Sequence, residues 1–248
     1  MDVRKPRVVA ILQARMGSTR LPGKVLNKVL DRPLLLYEIE RLRRSHLIDE
    51  IVVATTTSQL DKQIVRFCEE SHFPVFCGSE EDVLDRYYRA AKAFKADVVI
   101  RVTGDCPIID PEVVDQVIAF YLEASPPFDY VSNTLQRTYP RGLDIEVFSF
   151  KGLERAAHET KLPYEREHVT PYFYQHPELF RLGNVACETD ESRHRWTVDT
   201  AEDFELISRL LGELYPNNPE FRMADVLQVL KDHPDWVKIN AHIEQKPM

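Results

Sequence analysis

Short, largely apolar runs alternate with helical patterns along the first half of the chain. The segments between these runs repeat apolar residues at the three- and four-residue spacing of a helix. Apolar strands joined by amphipathic helices are typical of βαβ units around a buried parallel sheet. The sequence therefore predicts an α/β fold, a doubly wound three-layer sandwich with a mostly parallel sheet. The predicted strands of this part are Val8–Leu12, Ile51–Ala54, Pro74–Phe76 and Asp97–Val102.

The pattern changes at Pro126, where a Pro-Pro pair interrupts the chain. Two further apolar segments, 128–131 and 145–148, are predicted to be strands that either extend the sheet or form a flap. Helices are predicted from Pro33 and from Pro111. The later predicted helices are 153–157, 167–174, 201–214 and 223–230, and the predicted extended segments are 180–185 and 196–198.

The chain shows no internal repeat and no clean linker, so we predict a single domain over residues 1–248. Its core is expected at about 7–212. Within it, the interrupted region at about 126–185 is interpreted as an insertion. The remainder, 213–248, is predicted to be a helical extension at the C-terminus.

The charge of the chain is acidic but unevenly distributed. There are 32 Lys and Arg against 40 Asp and Glu, a net charge of −8, which argues against a nucleic-acid partner. Residues 1–50 nevertheless hold 11 basic and 6 acidic side chains, so they carry +5 and the rest of the chain −13. We expect a function for this basic excess, although Arg41, Arg43 and Arg44 are interpreted as solvated helix surface.

Nothing in the sequence indicates a membrane segment or an exported protein. No apolar run approaches the roughly 18–20 residues that span a bilayer, and the run Val8–Leu12 is too short for the core of a signal peptide. The four cysteines are scattered, and no Cys or His residues have metal-ligand spacing. We therefore expect a cytoplasmic protein with reduced thiols, no membrane partner and no transition-metal site.

The segment Gln13–Lys24 directly follows the first predicted strand, at the edge of the sheet where open α/β folds bind ligands. It contains two glycines, two hydroxyl residues and three cations, which suit phosphate oxygens. It is not a Walker A loop, because five residues separate its glycines and Val25 follows Lys24. It also lacks the Rossmann pattern G-x-G-x-x-G. A polar loop whose cations face water is the alternative.

Two carboxylates are candidates for binding Mg²⁺. Asp105 follows the fourth predicted strand at the same edge as the basic loop, while Asp110 is the better candidate to cap the next helix. Asp199 ends an extended segment, and the capping box that begins at Thr200 does not need it. Mg²⁺ prefers one or two carboxylates together with phosphate oxygens and water. The pair therefore indicates a site for a metal-bound nucleotide.

Five segments resemble the cytidylyltransferases that make CMP-activated acidic sugars. The first is similar to the signature of the 3-deoxy-manno-octulosonate cytidylyltransferases and, more loosely, of the acylneuraminate cytidylyltransferases. The others look most like the spore-coat polysaccharide biosynthesis (SpsF-like) branch. The resemblance covers about residues 7–212 and implies a Rossmann-like (GT-A-like) nucleotidyltransferase fold, CTP, Mg²⁺ and a homodimer. The segments are Ala14–Lys24, Thr103–Pro107, Arg141–Phe148, Glu167–Tyr172 and Trp196–Thr200.

The resemblance implies roles for individual residues. Asp105 and Asp199 match the metal-binding acids of the family. Arg15, Lys24 and Asp105 are the residues expected to carry catalysis. Ser18 matches, with Arg15 and Lys24, the residues that hold the nucleotide phosphates. The expected nucleotide-binding residues are Ala14, Arg15, Gly17, Ser18, Lys24, Arg86, Thr103 and Gly104.

The insertion at about 126–185 is expected to serve sugar binding and dimerisation, and it includes the segment that the resemblance implies to face the sugar. Gly142, Asp144 and Glu146 align with it. Asp144 and Glu146 alternate along a predicted strand and so share one face, which suits sugar hydroxyls or, equally, a solvated strand edge. The sequence departs from the octulosonate enzymes at three positions near the expected pockets, so it does not name the sugar. These positions are Gln13, Thr103 and Cys106, where those enzymes usually carry Pro, Gln and Glu.

The predicted function is transfer of CMP from CTP to the anomeric hydroxyl of an acidic sugar, with release of pyrophosphate, for surface polysaccharide biosynthesis. The alternatives are a nucleotidyltransferase that uses another NTP, a nucleotide-sugar glycosyltransferase, and a non-catalytic nucleotide-binding module. A glycosyltransferase typically binds its metal through a D-x-D motif, whereas Pro107 stands two residues after Asp105. The presence of Lys24 together with two acids argues against a module that has lost catalysis.

Overall fold

A central sheet lies between layers of helices in residues 4–244, the part of the chain that the computed structural model describes. Seven strands form this sheet there, and a separate two-stranded hairpin precedes the first helix. The strands are β1 (Val8–Gln13), β2 (Lys28–Val29), β3 (Arg32–Pro33), β4 (Glu50–Thr56), β5 (Val75–Gly78), β6 (Val98–Thr103), β7 (Tyr130–Ser132), β8 (Glu146–Ser149) and β9 (Leu182–Asn184). The helices are α1 (Leu34–Leu42), α2 (Lys62–Glu70), α3 (Val83–Ala93), α4 (Pro111–Glu123), α5 (Phe150–Glu159), α6 (Pro163–His168), α7 (Pro171–Gln175), α8 (Ala201–Leu214) and α9 (Met223–Asp232).

The described strands of the sheet have the order β5-β4-β1-β6-β8-β7-β9. Parallel pairs join β1 to β4 and β6, β4 to β5, and β7 to β9. β8 runs antiparallel to its neighbours β6 and β7. The predicted α/β fold with a mostly parallel sheet is confirmed. The two segments predicted as either sheet or flap belong to the sheet, where they form β7 and β8.

β1 is buried on both faces, as its apolar run predicts. Val8, Ala10 and Leu12 pack in one cluster with residues of α1 and α4. Val9 and Ile11 pack in a second cluster, on the other face, with residues of α3 and α5. A third cluster joins α1 to α8 and α9. This packing fixes β1 in the middle of the sheet. The loop that follows it therefore begins at the carboxyl-terminal end of a central strand.

Two predicted helix starts are confirmed. The Asp110 carboxylate accepts from the backbone N–H of Glu112 at 2.9 Å and caps α4. Thr200 and Asp203 form the capping box of α8. Each cap satisfies backbone N–H groups that the first turn of a helix leaves without intrahelical partners. The side chain of Asp199, one residue before the second cap, is therefore not needed to start α8.

The helix predicted over 167–174 is wrong as a continuous element, because the region forms the separate helices α6 and α7. Val169 follows α6 with a positive φ of 73°, which an α-helix does not contain. Pro171 begins α7, where its missing N–H and fixed φ are tolerated. Within a longer helix the same proline would break the hydrogen-bond ladder. The segment therefore turns a corner between two short helices.

The segment 196–198 bonds to loops instead of joining a strand ladder. Trp196 donates its backbone N–H to the Arg141 carbonyl at 2.6 Å, and Val198 donates to the Asp105 carbonyl at 2.8 Å. Gly142 permits this approach, since its φ is +107° and a Cβ there would lie 2.6 Å from the Trp196 carbonyl carbon. The segment consequently ends beside the loop that follows β6.

Arg41 is buried, so its interpretation as solvated surface is wrong. Its Nε donates to the Ile109 carbonyl at 2.6 Å and its Nη2 to the Phe221 carbonyl at 2.8 Å. The guanidinium also lies 4.0 Å from the centre of the Phe221 ring. Burial lowers the pKa of Arg41 to about 9. Arg43 is exposed, as expected, and Arg44 is half-buried. Arg41 thus connects α1 to two distant parts of the chain.

We expect Arg41→Met to lower the free energy of unfolding by roughly 2–4 kcal/mol, because two buried carbonyls lose their donors. Equilibrium unfolding in urea measures the change. Arg43→Met is the matched control at the end of the same helix, where the guanidinium lies over the Phe73 ring; the control should lose less than about 1 kcal/mol. Equal losses in the two variants would contradict an anchoring role for Arg41.

No helix within residues 4–244 combines the length and the apolar character that a membrane span requires. The two ends of the predicted domain, residues 1–3 and 245–248, lie outside the described residues. The described part of the C-terminal extension includes α9, which packs against α8. The predicted limits of the core, of the insertion and of the extension stay predictions.

Candidate active site

The carboxyl-terminal ends of the central strands β1 and β6 lie side by side. Gln13 is the register partner of Thr103, and the Gly104 N–H donates to the Gln13 carbonyl at 2.8 Å. A Cβ at Gly104 would lie 3.0 Å from that carbonyl oxygen and 3.2 Å from the Ala14 Cβ, so a larger residue would push the loops apart. The predicted phosphate loop and the loop that carries Asp105 therefore meet, as expected at the carboxyl ends of neighbouring parallel strands.

The loop Gln13–Lys24 is held in a closed turn by the rest of the chain. The Met16 N–H donates to the Asp61 carboxylate at 2.7 Å. The Met16 carbonyl accepts from the N–H groups of Ser18 at 2.9 Å and Gly23 at 3.0 Å. Asp61 is itself buried. Contacts within the protein thus fix the shape of the loop, and a preorganised loop favours electrostatic stabilisation of an anion.

A cleft of about 320 Å³ opens beside this loop. All eight predicted nucleotide-binding residues line it, and so do both predicted metal-binding acids. The predicted sugar-facing residues are not part of the lining. Gln13, Thr19 and Arg20 of the first loop complete the wall, together with Val25, which follows that loop. The structure therefore brings together the groups that the sequence predicts to bind nucleotide and metal.

Lys24 lies between the two predicted metal-binding acids. Its Nζ is 2.7 Å from Asp105 Oδ2 and 2.7 Å from Asp199 Oδ1, and 11% of its side chain is exposed. Asp105 Oδ1 accepts a further bond from the Thr103 hydroxyl at 2.7 Å. Burial disfavours the charged form of Lys24, but the carboxylates outweigh this effect and raise the pKa of Lys24 above its ordinary value. Lys24 is therefore a protonated bridge between the acids.

Three cations contact the Asp199 carboxylate. Besides Lys24, Arg20 Nη2 lies 2.9 Å and Arg195 Nη2 lies 2.7 Å from Asp199 Oδ2. Burial alone would raise the pKa of Asp199, but Lys24 and then Arg20 hold it below its ordinary value. The Nε of Arg195 donates in turn to Asp203 at 2.9 Å. Asp199 is thus fixed as an ionised group on one side of the cleft.

We expect Asp199→Asn to lower the free energy of unfolding by roughly 1–3 kcal/mol at neutral pH, because three cations lose a charged acceptor. The pKa of Asp199 is lower in the folded protein than its ordinary value of 3.8. Its stabilising contribution is therefore complete above about pH 4 and is lost as the pH falls through the lowered pKa. The difference between wild type and variant should stay constant from about pH 7 to pH 5 and shrink below about pH 4.

Denaturant unfolding at a series of pH values measures this difference. Asp31→Asn is the control, since Asp31 is exposed in the turn between β2 and β3. The control should change the free energy of unfolding by less than about 0.5 kcal/mol at each pH. A deficit of the Asp199 variant that grew on acidification would show that the folded protein does not lower the pKa of Asp199.

Arg86 and Arg15 add two guanidinium groups to the wall of the cleft. Arg86, on α3, is buried, and its Nη1 donates to the Ser79 carbonyl at 2.5 Å. Burial lowers the pKa of Arg86 below its ordinary value. Arg15 is exposed. Guanidinium groups match the geometry of phosphate oxygens, so both side chains suit a nucleotide.

Asp144 lies in the loop before β8 and forms a two-bond ion pair with Arg137, at 2.6 and 2.7 Å. The prediction that Asp144 and Glu146 alternate along one strand is therefore wrong for Asp144, because β8 begins at Glu146. The physical reason is Asn133, whose side chain bonds the backbone on either side of Asp144 at 2.6 and 2.9 Å. These bonds take the place of a strand ladder there.

Glu146 is buried and has three partners within the described fold. It pairs with Arg101 of β6 and accepts from the hydroxyls of Tyr130 and Thr170, each at 2.6 Å. Burial disfavours the charge of Arg101, but Glu146 raises the pKa of Arg101 above its ordinary value. The pair ties β8 to β6, and Glu146 is engaged in contacts within the protein.

Three residues at the site are not among the site residues that the sequence predicts. Arg20 is one of them, although it belongs to the basic loop and could have been expected to line the site for that reason. Arg195 stands four residues before Asp199 in a segment with no helical pattern, so the sequence does not indicate that they meet. Glu38 of α1 lies buried behind the loop after β6, where Oε2 accepts from the Cys106 N–H at 3.1 Å. Burial raises the pKa of Glu38 well above its ordinary value.

Comparison with known proteins identifies the family of the chain. Residues 9–229 match the family model described as cytidylyltransferase. The chain belongs to the cytidylyltransferase family. This confirms the family indicated by the sequence resemblance, and it makes the protein a nucleotidyltransferase.

Relatives of this cytidylyltransferase include both kinds of protein that the sequence resembles. It is 35% identical over 235 residues to the spore coat polysaccharide biosynthesis protein SpsF of Bacillus subtilis, with 92% of this chain and 95% of the relative covered. It is 29% identical over 207 residues to the 3-deoxy-manno-octulosonate cytidylyltransferase of Chlamydia trachomatis serovar A, with 79% of each covered. A solved cytidylyltransferase from Leptospira borgpetersenii superposes with a TM-score of 0.90 at 36% identity, covering 97% of this chain and all of that one.

The acids of this cytidylyltransferase do not form a complete metal cage. Among residues 4–244, no group of three or more His, Cys, Asp or Glu side chains is arranged to hold a metal ion. Asp105 and Asp199 offer carboxylate oxygens, which suit a hard cation such as Mg²⁺ better than a soft metal. A cation bound between them would need further oxygen ligands from water or from a ligand.

Proposed function

We propose that this cytidylyltransferase transfers CMP from CTP to the anomeric hydroxyl of an acidic sugar and releases pyrophosphate. The observation that carries the proposal is the Lys24 bridge between Asp105 and Asp199 at the end of a cationic loop. This arrangement gathers positive groups for phosphates and carboxylates for Mg²⁺ in one cleft. The names of the relatives, one an octulosonate cytidylyltransferase and one a spore-coat polysaccharide protein, support the same reaction and a role in surface polysaccharide biosynthesis.

The proposed chemistry is a displacement at the α-phosphorus of CTP. The anomeric oxygen bonds to that phosphorus and its hydroxyl proton passes to water, while the bond from phosphorus to the oxygen of the leaving pyrophosphate breaks. Lys24, Arg15 and Arg20 would supply positive charge to the departing pyrophosphate. The closed loop held by Asp61 would keep these groups in place, so that catalysis rests on positioning and electrostatics.

Asp105 and Asp199 are the residues that we propose to hold Mg²⁺. They fit this ion because both are carboxylates and they lie close enough to share one ammonium group. Bound there, the ion would neutralise charge on the α-phosphate oxygens. Arg195 and Arg20 keep Asp199 ionised and oriented, which a metal ligand requires.

The sugar is proposed to bind next to the segment Gly142–Glu146. In this segment Asp144 holds Arg137 and Glu146 holds Arg101, so both acids position guanidinium groups. Each guanidinium has five N–H donors and so keeps some beyond those that its acid accepts; such donors favour a sugar with a carboxylate over a neutral one.

We further propose that the enzyme acts as a homodimer in the cytoplasm. The resemblance to CMP-sugar synthetases supports the dimer, and a CTP substrate supports the compartment. Sedimentation equilibrium tests the oligomeric state, with the mass of two chains as the expected result. A concentration-independent mass of one chain, 28.9 kDa, would contradict the dimer.

A pyrophosphate-release assay tests the reaction. The protein is supplied with Mg²⁺ and with CTP, UTP, ATP or GTP, each against a panel of acidic sugars and their neutral counterparts. We expect release with CTP and at least one acidic sugar, and at least about tenfold less with the other nucleotides. Faster release with another nucleotide would contradict CTP as the substrate. Release with neutral sugars alone would contradict an acidic sugar as the acceptor.

A further inference from the structure

We propose that the Lys24 ammonium occupies the metal position in the nucleotide-free enzyme and leaves it only when nucleotide phosphates bind. The site would then bind a divalent cation more tightly together with the nucleotide than before it. This inference rests on the proposed function. It concerns the order in which the ligands of the reaction bind and the residue that imposes this order.

The geometry of Lys24 is the first observation. Its Nζ is equidistant, at 2.7 Å, from one oxygen of Asp105 and one oxygen of Asp199. A cation that used both carboxylates would have to take the place of this ammonium. Lys24 has a long unbranched side chain and lines the cleft, so its ammonium is within reach of another anion bound there.

The charge balance around the acids is the second observation. Asp105 and Asp199 are met by Lys24, Arg20 and Arg195, so three positive charges face two negative ones, with Arg195 also paired to Asp203. A divalent cation that approached this cluster without a nucleotide would meet no net negative charge. Binding it would break at least one existing ion pair.

The lack of further ligands is the third observation. Mg²⁺ demands near-octahedral oxygen coordination, and the described residues hold no group of three or more acidic, His or Cys side chains arranged to bind a metal ion. The phosphates of a nucleotide would supply oxygens to the cation and, at the same time, a new partner for Lys24. One ligand would thus release the ammonium and complete the coordination of the metal.

Binding of Mn²⁺ to the nucleotide-free protein tests the inference, with the EPR signal of free Mn²⁺ as the readout. We expect Lys24→Met and Lys24→Gln to bind Mn²⁺ about tenfold more tightly than wild type, since the competing ammonium is gone. Glutamine retains a neutral hydrogen-bond donor on a side chain that is one bond shorter. Arg20→Met is the matched control: it also removes one positive charge from Asp199, but its guanidinium does not touch Asp105, and it should change the affinity by less than about threefold.

Two results would overturn the inference. One is that neither Lys24 variant binds Mn²⁺ more tightly than wild type. The other is that Arg20→Met gains as much affinity, because charge alone would then explain the effect. Thermal melts establish that the variants are folded. In the wild-type protein, where folding is not in question, Mn²⁺ and CTP should raise each other's affinity by about tenfold, and independent binding would equally refute the inference.

The outcome is separable from that of the proposed function. If wild type releases pyrophosphate from CTP but the Lys24 variants bind Mn²⁺ no more tightly, the inference fails and the function stands. If no nucleotide and sugar give pyrophosphate but the Lys24 variants bind Mn²⁺ more tightly, the reaction is wrong and Lys24 still competes with the metal.

Discussion

Replacement of Lys24 by methionine is expected to lower the rate of pyrophosphate release by about 10²–10³-fold. Methionine keeps an unbranched side chain but removes the ammonium that lies 2.7 Å from both Asp105 and Asp199. In the proposed reaction this ammonium meets the charge that develops on the departing pyrophosphate. The loss should therefore fall on kcat more than on the KM for CTP. Initial rates over a range of CTP concentrations give both constants.

Lys28→Met is the matched control, because Lys28 is exposed four residues further along the same segment. It should leave kcat within about twofold of wild type. Equal losses in the two variants would indicate that the loop attracts the nucleotide by its overall charge, without a special role for Lys24. A normal kcat in the Lys24→Met enzyme would show that the ammonium takes no part in the chemical step.

The strands at the centre of the sheet were predictable because they are buried on both faces, which gives a continuous apolar run. Their ends were not. β1 and β6 each extend one residue beyond the predicted strand, to Gln13 and to Thr103. Both of these residues are polar and both line the cleft. The apolar pattern therefore ends one residue before the strand does. The reason is that the last residue of each strand is a polar residue of the cleft wall.

The lining of the cleft was predictable for a different reason. Loops that follow neighbouring parallel strands meet at one edge of the sheet, so the positions of the first loop and of Asp105 follow from the fold. The partners of individual charges depend instead on tertiary packing. Arg195 meets Asp199 across an irregular segment, and Arg41 reaches Phe221 from 180 positions away. Periodicity describes which face of an element is apolar, but not which carbonyl or carboxylate a buried cation finds.

Asp105→Asn is expected to reduce pyrophosphate release by a similar factor, about 10²–10³-fold, for a different reason. Asparagine keeps the shape of the side chain and an oxygen for the Thr103 hydroxyl, which lies 2.7 Å from Asp105 Oδ1. It loses the negative charge opposite Lys24, and with it one of the two carboxylates proposed to hold Mg²⁺. Higher Mg²⁺ concentrations should therefore restore part of the rate of this variant and none of the rate of Lys24→Met. Initial rates across a Mg²⁺ titration measure the difference.

Asp97→Asn is the control for this variant. Asp97 is exposed, directly precedes the first residue of β6 and pairs with Arg4. It should keep turnover within about twofold of wild type. An Asp105→Asn enzyme with normal turnover and normal Mg²⁺ dependence would exclude Asp105 from the site. Binding of Mn²⁺ then separates the two inactive variants: Lys24→Met should bind the free ion more tightly than wild type, and Asp105→Asn more weakly. Opposite changes in metal affinity with the same loss of turnover follow only if the ammonium and the metal compete for one pair of acids.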